Sequence, residues 1–215
     1  MSFRAVLFDL DGTLVDTIGY WIEAYLKTLL DVDVDIDTEE FLLTTYTLNK
    51  HFEDVLEYYG IDPGRADELR ASRDRRYTDI LRTRTLWLEG AETMLRNTVE
   101  KYPTAIITGS HKSYIDAMEE QIQLKSLIST IITTDDMGGR TKPHPHGLLL
   151  ACKELGVAPE QCVYIGDQVF DVEAANAAGM ASCLLWTEYT PPTAGQDADM
   201  TVESIAEISS LLGLS

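Results

Sequence analysis

The chain has 215 residues, 45% of them hydrophobic, so it is long enough and apolar enough to bury one sizeable core. Its formal net charge of −19 disfavours a nucleic-acid backbone or an anionic membrane surface as partner, and it requires an anionic ligand to be attracted locally. There is neither an apolar stretch long enough for a bilayer nor a signal-peptide pattern, and Cys152, Cys162 and Cys183 are typical of buried free thiols, which together predict a cytoplasmic protein.

The first predicted element is a buried strand, the apolar run Ala5–Phe8, which is followed by Asp9 and Asp11. Residues two apart in a strand point to the same side, so these two carboxylates converge where the strand ends, and Gly12 allows the chain to turn away. Burying two close carboxylates is costly unless a cation or a proton offsets their repulsion. The pair therefore suggests a divalent metal and a phosphate, with a solvated strand end before a helix as the alternative.

The next seventy residues show helical periodicity and no strand pattern. The predicted helices cover residues 16–29, a segment that begins at Asp37, residues 51–59 and residues 63–81. Asp37 followed by Glu40 resembles a helix N-cap with an acid at the third position. We therefore expect an all-helical insertion after the first strand.

Beyond Leu86, strands and helices alternate. The predicted strands cover residues 104–108, 130–133, 161–165 and 181–185, and the helices 90–101, 112–122, 146–155, 172–178 and 204–212. This alternation predicts an α/β protein with a Rossmann-like, doubly wound parallel sheet. We expect residues 1–15 and 87–215 to form this core and residues 16–86 to form an all-α cap over the carboxyl edge of the sheet.

Polar clusters follow the predicted strands, at the edge where such sheets bind ligands. The hydroxyl and N–H groups of residues 108–110 (Thr-Gly-Ser) suit an anion at a helix start. Lys142 lies in a loop whose prolines fix its path, and Asp167 with Asp171 can complete a carboxylate cage for Mg²⁺. Each cluster alone also fits an ordinary turn, a solvated loop or a helix start.

Together these residues resemble the haloacid dehalogenase-like hydrolase superfamily, in its phosphoglycolate phosphatase and β-phosphoglucomutase-like branch. The resemblance rests on four motifs in the family's order, Asp9-x-Asp11-Gly12-Thr13, Thr108-Gly109, Lys142-Pro143 and Gly166-Asp167 with Asp171. It implies that Asp9 attacks phosphorus to form an aspartyl-phosphate and that Asp11 protonates the leaving oxygen and then deprotonates water.

The same resemblance implies the ligands of the metal and of the phosphate. Mg²⁺ would be held by Asp9, the backbone carbonyl of Asp11 and Asp167, with Asp171 close behind. Phosphoryl oxygens would be bound by Thr108, Gly109 and Lys142.

The activity implied is a Mg²⁺-dependent phosphatase acting on a small phosphorylated metabolite. Asp11 disfavours dehalogenases and phosphonatases, and Trp21 stands where the mutases carry a histidine, which favours a hydrolase. A sugar-phosphate mutase and a non-catalytic phosphate-binding module remain the alternatives. Gln168 stands where a small serine is frequent, and Leu86–Glu89 lacks the proline often found at the second connection to the cap.

Residues of the cap are expected to select the substrate. Lys50 and His51 are candidates to contact an anionic leaving group, and Tyr46 and Asn49 lie in the same stretch. The basic cluster Arg73, Arg75 and Arg76 favours a solvated helix face, with substrate contact by Arg75 as the alternative. The oligomeric state stays open between a monomer and a weak dimer.

Overall fold

A parallel sheet of six strands organises the protein in its computed structural model, which describes residues 3–46, 48 and 50–214. The strand order is β3-β2-β1-β4-β5-β6. The strands are β1 (Ala5–Phe8), β2 (Thr104–Ile107), β3 (Ile131–Ile132), β4 (Cys162–Gly166), β5 (Ala181–Leu185) and β6 (Met200–Val202). The predicted α/β, Rossmann-like parallel sheet is thus confirmed, and β6 is a strand that the sequence pattern did not indicate.

The first strand lies at the centre of the sheet, where Phe8 pairs with Ile106 on one side and Ile165 on the other. All four residues of β1 are fully buried, as expected of a parallel strand covered on both faces. Its carboxyl end therefore opens onto the middle of one sheet edge, between the ends of β2 and β4.

Helices cover both faces of the sheet. The helices of the described residues are α1 (Ile18–Leu30), α2 (Thr38–Phe41), α3 (Phe52–Tyr58), α4 (Ala66–Arg84), α5 (Ala91–Lys101), α6 (Lys112–Ile122), α7 (Leu124–Leu127), α8 (His146–Leu155), α9 (Val169–Ala178) and α10 (Ile205–Leu211). Alternate residues of β1 serve the two faces, because Phe8 belongs to the apolar cluster of Leu95 and Met118 whereas Leu7 belongs to that of Leu148 and Ala174. None of these helices is long and apolar enough to cross a membrane.

The helical insertion, which we define as α1 to α4, leaves and rejoins the sheet through two paired connections. The Asp16 N–H donates to the Leu86 carbonyl at 3.0 Å, and the Leu88 N–H donates to the Leu14 carbonyl at 2.9 Å. Its described residues contain no strand, only isolated bridges at the connections. The Asp37 carboxylate accepts the Glu40 N–H at 2.9 Å, which confirms the helix start there. The division into a core and a cap at residues 16 and 86 stays a prediction.

The structure confirms one expectation about side chains and corrects another. The three cysteines are buried and free, as predicted, but Cys152 and Cys162 are neighbours in space with their sulfurs 3.6 Å apart. Arg73 was expected on a solvated helix face, which is wrong, because its side chain is buried among aromatic rings.

Candidate active site

Asp9 and Asp11 lie at the carboxyl end of β1 in different surroundings. Asp9 is buried and accepts a hydrogen bond from the Lys142 ammonium at 2.7 Å. Gly12 then takes a φ of +81°, and a Cβ added to it would lie 2.8 Å from an oxygen of Asp167. A glycine is therefore required here both by the backbone conformation and by the closeness of that carboxylate.

The Lys142 side chain is the buried cation of the site. Its three N–H donors contact Asp9 at 2.7 Å, Asp171 at 2.6 Å and the Tyr164 hydroxyl at 3.0 Å. Burial alone would lower the pKa of Lys142, but the carboxylates of Asp171 and Asp9 outweigh it and hold that pKa well above its usual value. The ammonium therefore stays charged, and its donors are all engaged. The Lys142–Pro143 peptide bond is cis.

Three buried carboxylates surround this ammonium. One oxygen each of Asp9, Asp167 and Asp171 lie within 4.8 Å of one another. Burial raises the pKa of Asp9 well above its usual value, and burial together with Asp171 raises the pKa of Asp167 to about 7. One ammonium does not neutralise three carboxylates, and carboxylate oxygens are the ligands that hard divalent cations prefer. The donor set therefore fits a divalent metal ion.

The ends of β4 and α9 fix this cluster. The Asp167 carboxylate accepts from the Thr13 hydroxyl at 3.2 Å and from the Gln168 amide at 2.6 Å. The Gln168 N–H donates to Asp171 at 3.0 Å, which starts α9 at Val169. Gly166 has no room for a Cβ, because the Asp171 carboxyl fills that space.

Within the part of the chain that the structure describes, Asp11 is held by hydroxyl groups and by no ammonium. One of its oxygens accepts from Thr108 at 3.0 Å and Ser110 at 2.8 Å, and the other from Thr17 at 2.7 Å and Tyr77 at 3.4 Å. Tyr77 lies in α4 of the helical insertion and Thr17 immediately precedes α1, whereas Thr108 and Ser110 follow β2. Asp11 thus joins the insertion to the sheet.

A cavity of about 270 Å³ opens between the carboxyl edge of the sheet and the helical insertion. Its lining residues are Asp9, Asp11, Ile18, Trp21, Tyr46, Tyr77, Gly109, Ser110, Tyr114, Thr141, Lys142, Gln168 and Phe170. Of the residues expected to select the substrate, Tyr46 lines this cavity, whereas Lys50, His51 and Arg75 do not. Asn49 lies outside the described residues.

The structure brings the predicted catalytic, metal and phosphate residues to one place, leaves Lys50 and His51 outside the cavity lining, and adds partners that sequence reasoning missed. Thr108 contacts Asp11, and Gly109 and Lys142 line the cavity beside the predicted metal ligands. The missed partners are Thr13, Thr17, Ser110 and Tyr164. Thr13 and Ser110 lie inside motifs that the sequence displays, but Tyr164 gives no local signal, since it is one ring in an apolar strand.

Comparison with known proteins gives three kinds of similarity. Residues 6–185 match the family model of the haloacid dehalogenase-like hydrolases. A phosphoglycolate phosphatase of Xanthomonas campestris pv. campestris is 31% identical over 185 residues, which cover 85% of this chain and 83% of that protein.

Two solved structures share the fold. A haloacid dehalogenase family hydrolase of Deinococcus radiodurans, with bound phosphate and sodium, is 27% identical, with a TM-score of 0.79 over 99% of this chain and 97% of that one. A predicted phosphoglycolate phosphatase of Haemophilus somnus is 21% identical, with a TM-score of 0.84 over 98% of each chain.

Proposed function

The chain belongs to the haloacid dehalogenase-like hydrolase family and is an enzyme of the phosphatase kind, and we propose that it hydrolyses a small phosphorylated metabolite through an aspartyl-phosphate. The observation that carries this proposal is the buried cluster of Asp9, Asp167, Asp171 and Lys142, of which Asp9 and Lys142 line the cavity. The phosphate bound to the Deinococcus radiodurans hydrolase supports a phosphorylated substrate. A cytoplasmic location and a monomer or weak dimer stay predictions.

Asp9 is proposed as the nucleophile. Its carboxylate oxygen forms a bond to phosphorus as the bond from phosphorus to the leaving oxygen breaks. A carboxylate approaches a phosphate dianion only where positive charge offsets the repulsion, and Lys142 supplies part of that charge at 2.7 Å from Asp9. Thr108 and Gly109 are proposed to bind the phosphoryl oxygens together with Lys142.

Asp11 is proposed as the general acid and base. It gives a proton to the leaving alcohol in the first step. In the second step it takes a proton from the water that attacks phosphorus, while the bond between Asp9 and phosphorus breaks. The hydroxyls of Thr17, Thr108 and Ser110 orient its two oxygens from opposite sides, so its carboxyl group has one defined position.

Mg²⁺ is the proposed cofactor. Asp9, the backbone carbonyl of Asp11 and Asp167 would hold it, with Asp171 beside them, and it would neutralise charge on the transferring phosphoryl group. The net negative charge of the buried cluster supports a divalent cation of this kind.

The lining of the cavity favours a phosphatase over a mutase. Trp21 lines it, and no histidine is among the described lining residues. Without a histidine to protect it, the aspartyl-phosphate is open to attack by water, so net hydrolysis is the expected outcome.

The test is release of inorganic phosphate from a panel of phosphorylated metabolites with Mg²⁺ and with EDTA. We expect Mg²⁺-dependent release that Asp9→Asn lowers by at least about 10³-fold, because the amide is a far weaker nucleophile. Asp67→Asn, a matched change at a fully exposed carboxylate on α4, should retain wild-type turnover.

Two results would count against the proposal. Wild-type turnover in Asp9→Asn would remove the nucleophile assignment. Conversion of a hexose 1-phosphate to the 6-phosphate without net phosphate release would identify a mutase.

A further inference from the structure

The part of the cavity lining that the helical insertion and α6 contribute is apolar or aromatic and uncharged. Its described residues, which we call the wall, are Ile18, Trp21, Tyr46, Tyr77 and Tyr114. Among the described residues that line the cavity, Lys142 is the only one with a positive charge. Any group attached to the transferring phosphate therefore meets rings and hydroxyls on that side.

The single charge of Lys142 is already matched before a second anion is considered. Asp9, Asp171 and the Tyr164 hydroxyl accept hydrogen bonds from its ammonium, and its side chain is buried. Under the proposed function this charge also serves the transferring phosphoryl group.

The nearby cations of the helical insertion are engaged elsewhere. The Arg73 guanidinium lies over the Trp21 ring at 4.2 Å, is not among the residues that line the cavity, and donates to Asp74 at 2.9 and 2.7 Å. The Lys50 ammonium lies 4.3 Å over the ring of Tyr58, outside the cavity lining. Neither side chain offers a charge to the leaving group.

The wall shares the cavity with the carboxylates of Asp9 and Asp11. Burial raises the pKa of Tyr46 well above its usual value, and the carboxylates of Asp167, Asp9, Asp11 and Asp171 raise it further. A second anion at this wall would lose its water without gaining a cationic side chain among the described residues that line it.

The rings hold one another in a fixed arrangement. Trp21 packs edge-on against Tyr77 at 5.0 Å and Tyr114 at 6.4 Å, and Tyr77 packs edge-on against Tyr114 at 5.0 Å. Arg73 covers another side of Trp21. Such a preformed aromatic surface suits a flat apolar face of a ligand.

We propose that the substrate is a monoester whose leaving alcohol carries no second charge and presents an apolar face to the wall of Trp21, Tyr46 and Tyr77. The cavity of about 270 Å³ has room for an alcohol of about the size of one sugar or aryl ring. This inference rests on the proposed function. It separates this chain from the activity named for its Xanthomonas campestris pv. campestris relative, since phosphoglycolate carries a carboxylate beside its phosphate.

The test compares pairs of substrates in which the second member carries an anionic group at the leaving end that the first member lacks, with the Mg²⁺-loaded wild-type enzyme. The pairs are 2-hydroxyethyl phosphate with 2-phosphoglycolate, phenyl phosphate with 4-carboxyphenyl phosphate, and glucose 6-phosphate with glucose 1,6-bisphosphate. We expect kcat/KM to favour the neutral member by at least about 10-fold in every pair that is hydrolysed, because the anion finds no partner. The larger of the aryl and sugar rates identifies which neutral skeleton the wall accepts.

A variant that adds a positive charge to the wall tests the same preference for a neutral leaving alcohol. Tyr46→Arg places a guanidinium in the wall and should shift the ratio toward the anionic member by at least about 10-fold. Tyr58→Arg is the matched control, since Tyr58 is exposed and outside the cavity lining, and it should keep the wild-type ratio.

The outcomes separate the inference from the function on which it rests. Hydrolysis with equal or higher kcat/KM for the anionic members overturns the inference and leaves the phosphatase in place. A folded Tyr46→Arg with the wild-type ratio also overturns it, and if that variant does not fold, the wild-type ratios decide alone. Absence of Mg²⁺-dependent phosphate release from every ester overturns the proposed function itself.

Discussion

Asp9 and Asp11 have the same side chain and lie two residues apart, yet their surroundings give them different chemistry. Asp9 is buried against an ammonium and two further carboxylates, which suits a nucleophile beside a cation. Asp11 accepts four hydroxyl donors and contacts no ammonium among the described residues, surroundings that support its proposed role as general acid and base. The spacing in the sequence predicts that the two converge. The difference between them depends on Thr17, Tyr77 and Ser110, which only the folded chain brings together.

The high pKa of Asp167 makes the stability of the metal-free protein depend on pH. The pKa is about 7 in the folded chain, against an ordinary value of 3.8, because the carboxyl is buried beside Asp171. Between these values the folded chain holds a proton that the unfolded chain releases, so the free energy of unfolding falls as pH rises from about 4 to about 7. A divalent ion replaces this proton and should restore the stability at the upper end of that range.

Asp167→Asn isolates this effect, since its amide cannot ionise. In EDTA, the Tm of Asp167→Asn relative to wild type should rise steadily between about pH 5 and pH 8. Each kcal/mol of difference in the free energy of unfolding shifts Tm by about 4–8 °C in a small domain and by less in a chain of this size. Mg²⁺ should raise the Tm of the wild type more at about pH 8 than at about pH 5. Thermal unfolding followed by circular dichroism measures both. A Tm difference that does not change with pH would contradict the assignment.

Among the elements, sequence patterns located the long helices and buried strands and missed those that depend on neighbours. α6 and α8 begin and end where the apolar spacing predicts. α9 begins at Val169, three residues before the predicted start, because Gln168 and Asp171 form a reciprocal cap. β6 has three residues, one of them buried, and pairs with β5 alone. So short an edge strand has no apolar run, and its pairing is decided by β5.

The second connection between the helical insertion and the sheet leads to a prediction about proline substitution. Thr85 has φ −62° and ψ 130°, a conformation that a following proline accepts, and the Leu86 N–H donates no hydrogen bond within the described part of the chain. Leu86→Pro should therefore be neutral or stabilise the fold by up to about 1 kcal/mol, since proline restricts the unfolded chain.

Leu88→Pro is the matched comparison. It removes the N–H that donates to the Leu14 carbonyl at 2.9 Å, so we expect the free energy of unfolding to fall by about 1–3 kcal/mol. Urea unfolding of both variants measures the two changes. Equal stability of the two proline variants would show that the connections are not held by this pairing.

At the scale of the whole molecule, the net charge of the chain opposes the anionic ligand that its site is proposed to bind. Acidic residues outnumber Lys and Arg by 36 to 17, and several arginines of the helical insertion are already paired with carboxylates, as Arg76 is with Asp31 and Arg84 with Glu23. We therefore expect the attraction for a phosphate dianion to be confined to the site itself, where Lys142 lies and where the proposed divalent ion would act at short range. Over longer distances the net charge of −19 opposes the approach of the substrate.

Because the net charge opposes the approach of an anionic substrate, we expect added salt to raise kcat/KM. Raising the ionic strength from about 0.01 M to 0.15 M shortens the Debye length from about 30 Å to about 8 Å, which screens the distant surface charges more than the buried cluster. We therefore expect kcat/KM for a dianionic phosphomonoester, at saturating Mg²⁺, to rise by about 2- to 10-fold over this range of KCl while kcat stays constant. An equal osmolality of sucrose is the control and should leave kcat/KM unchanged. A steady fall of kcat/KM with KCl would mean that the field of the site extends beyond the protein surface and outweighs the charge of the whole chain.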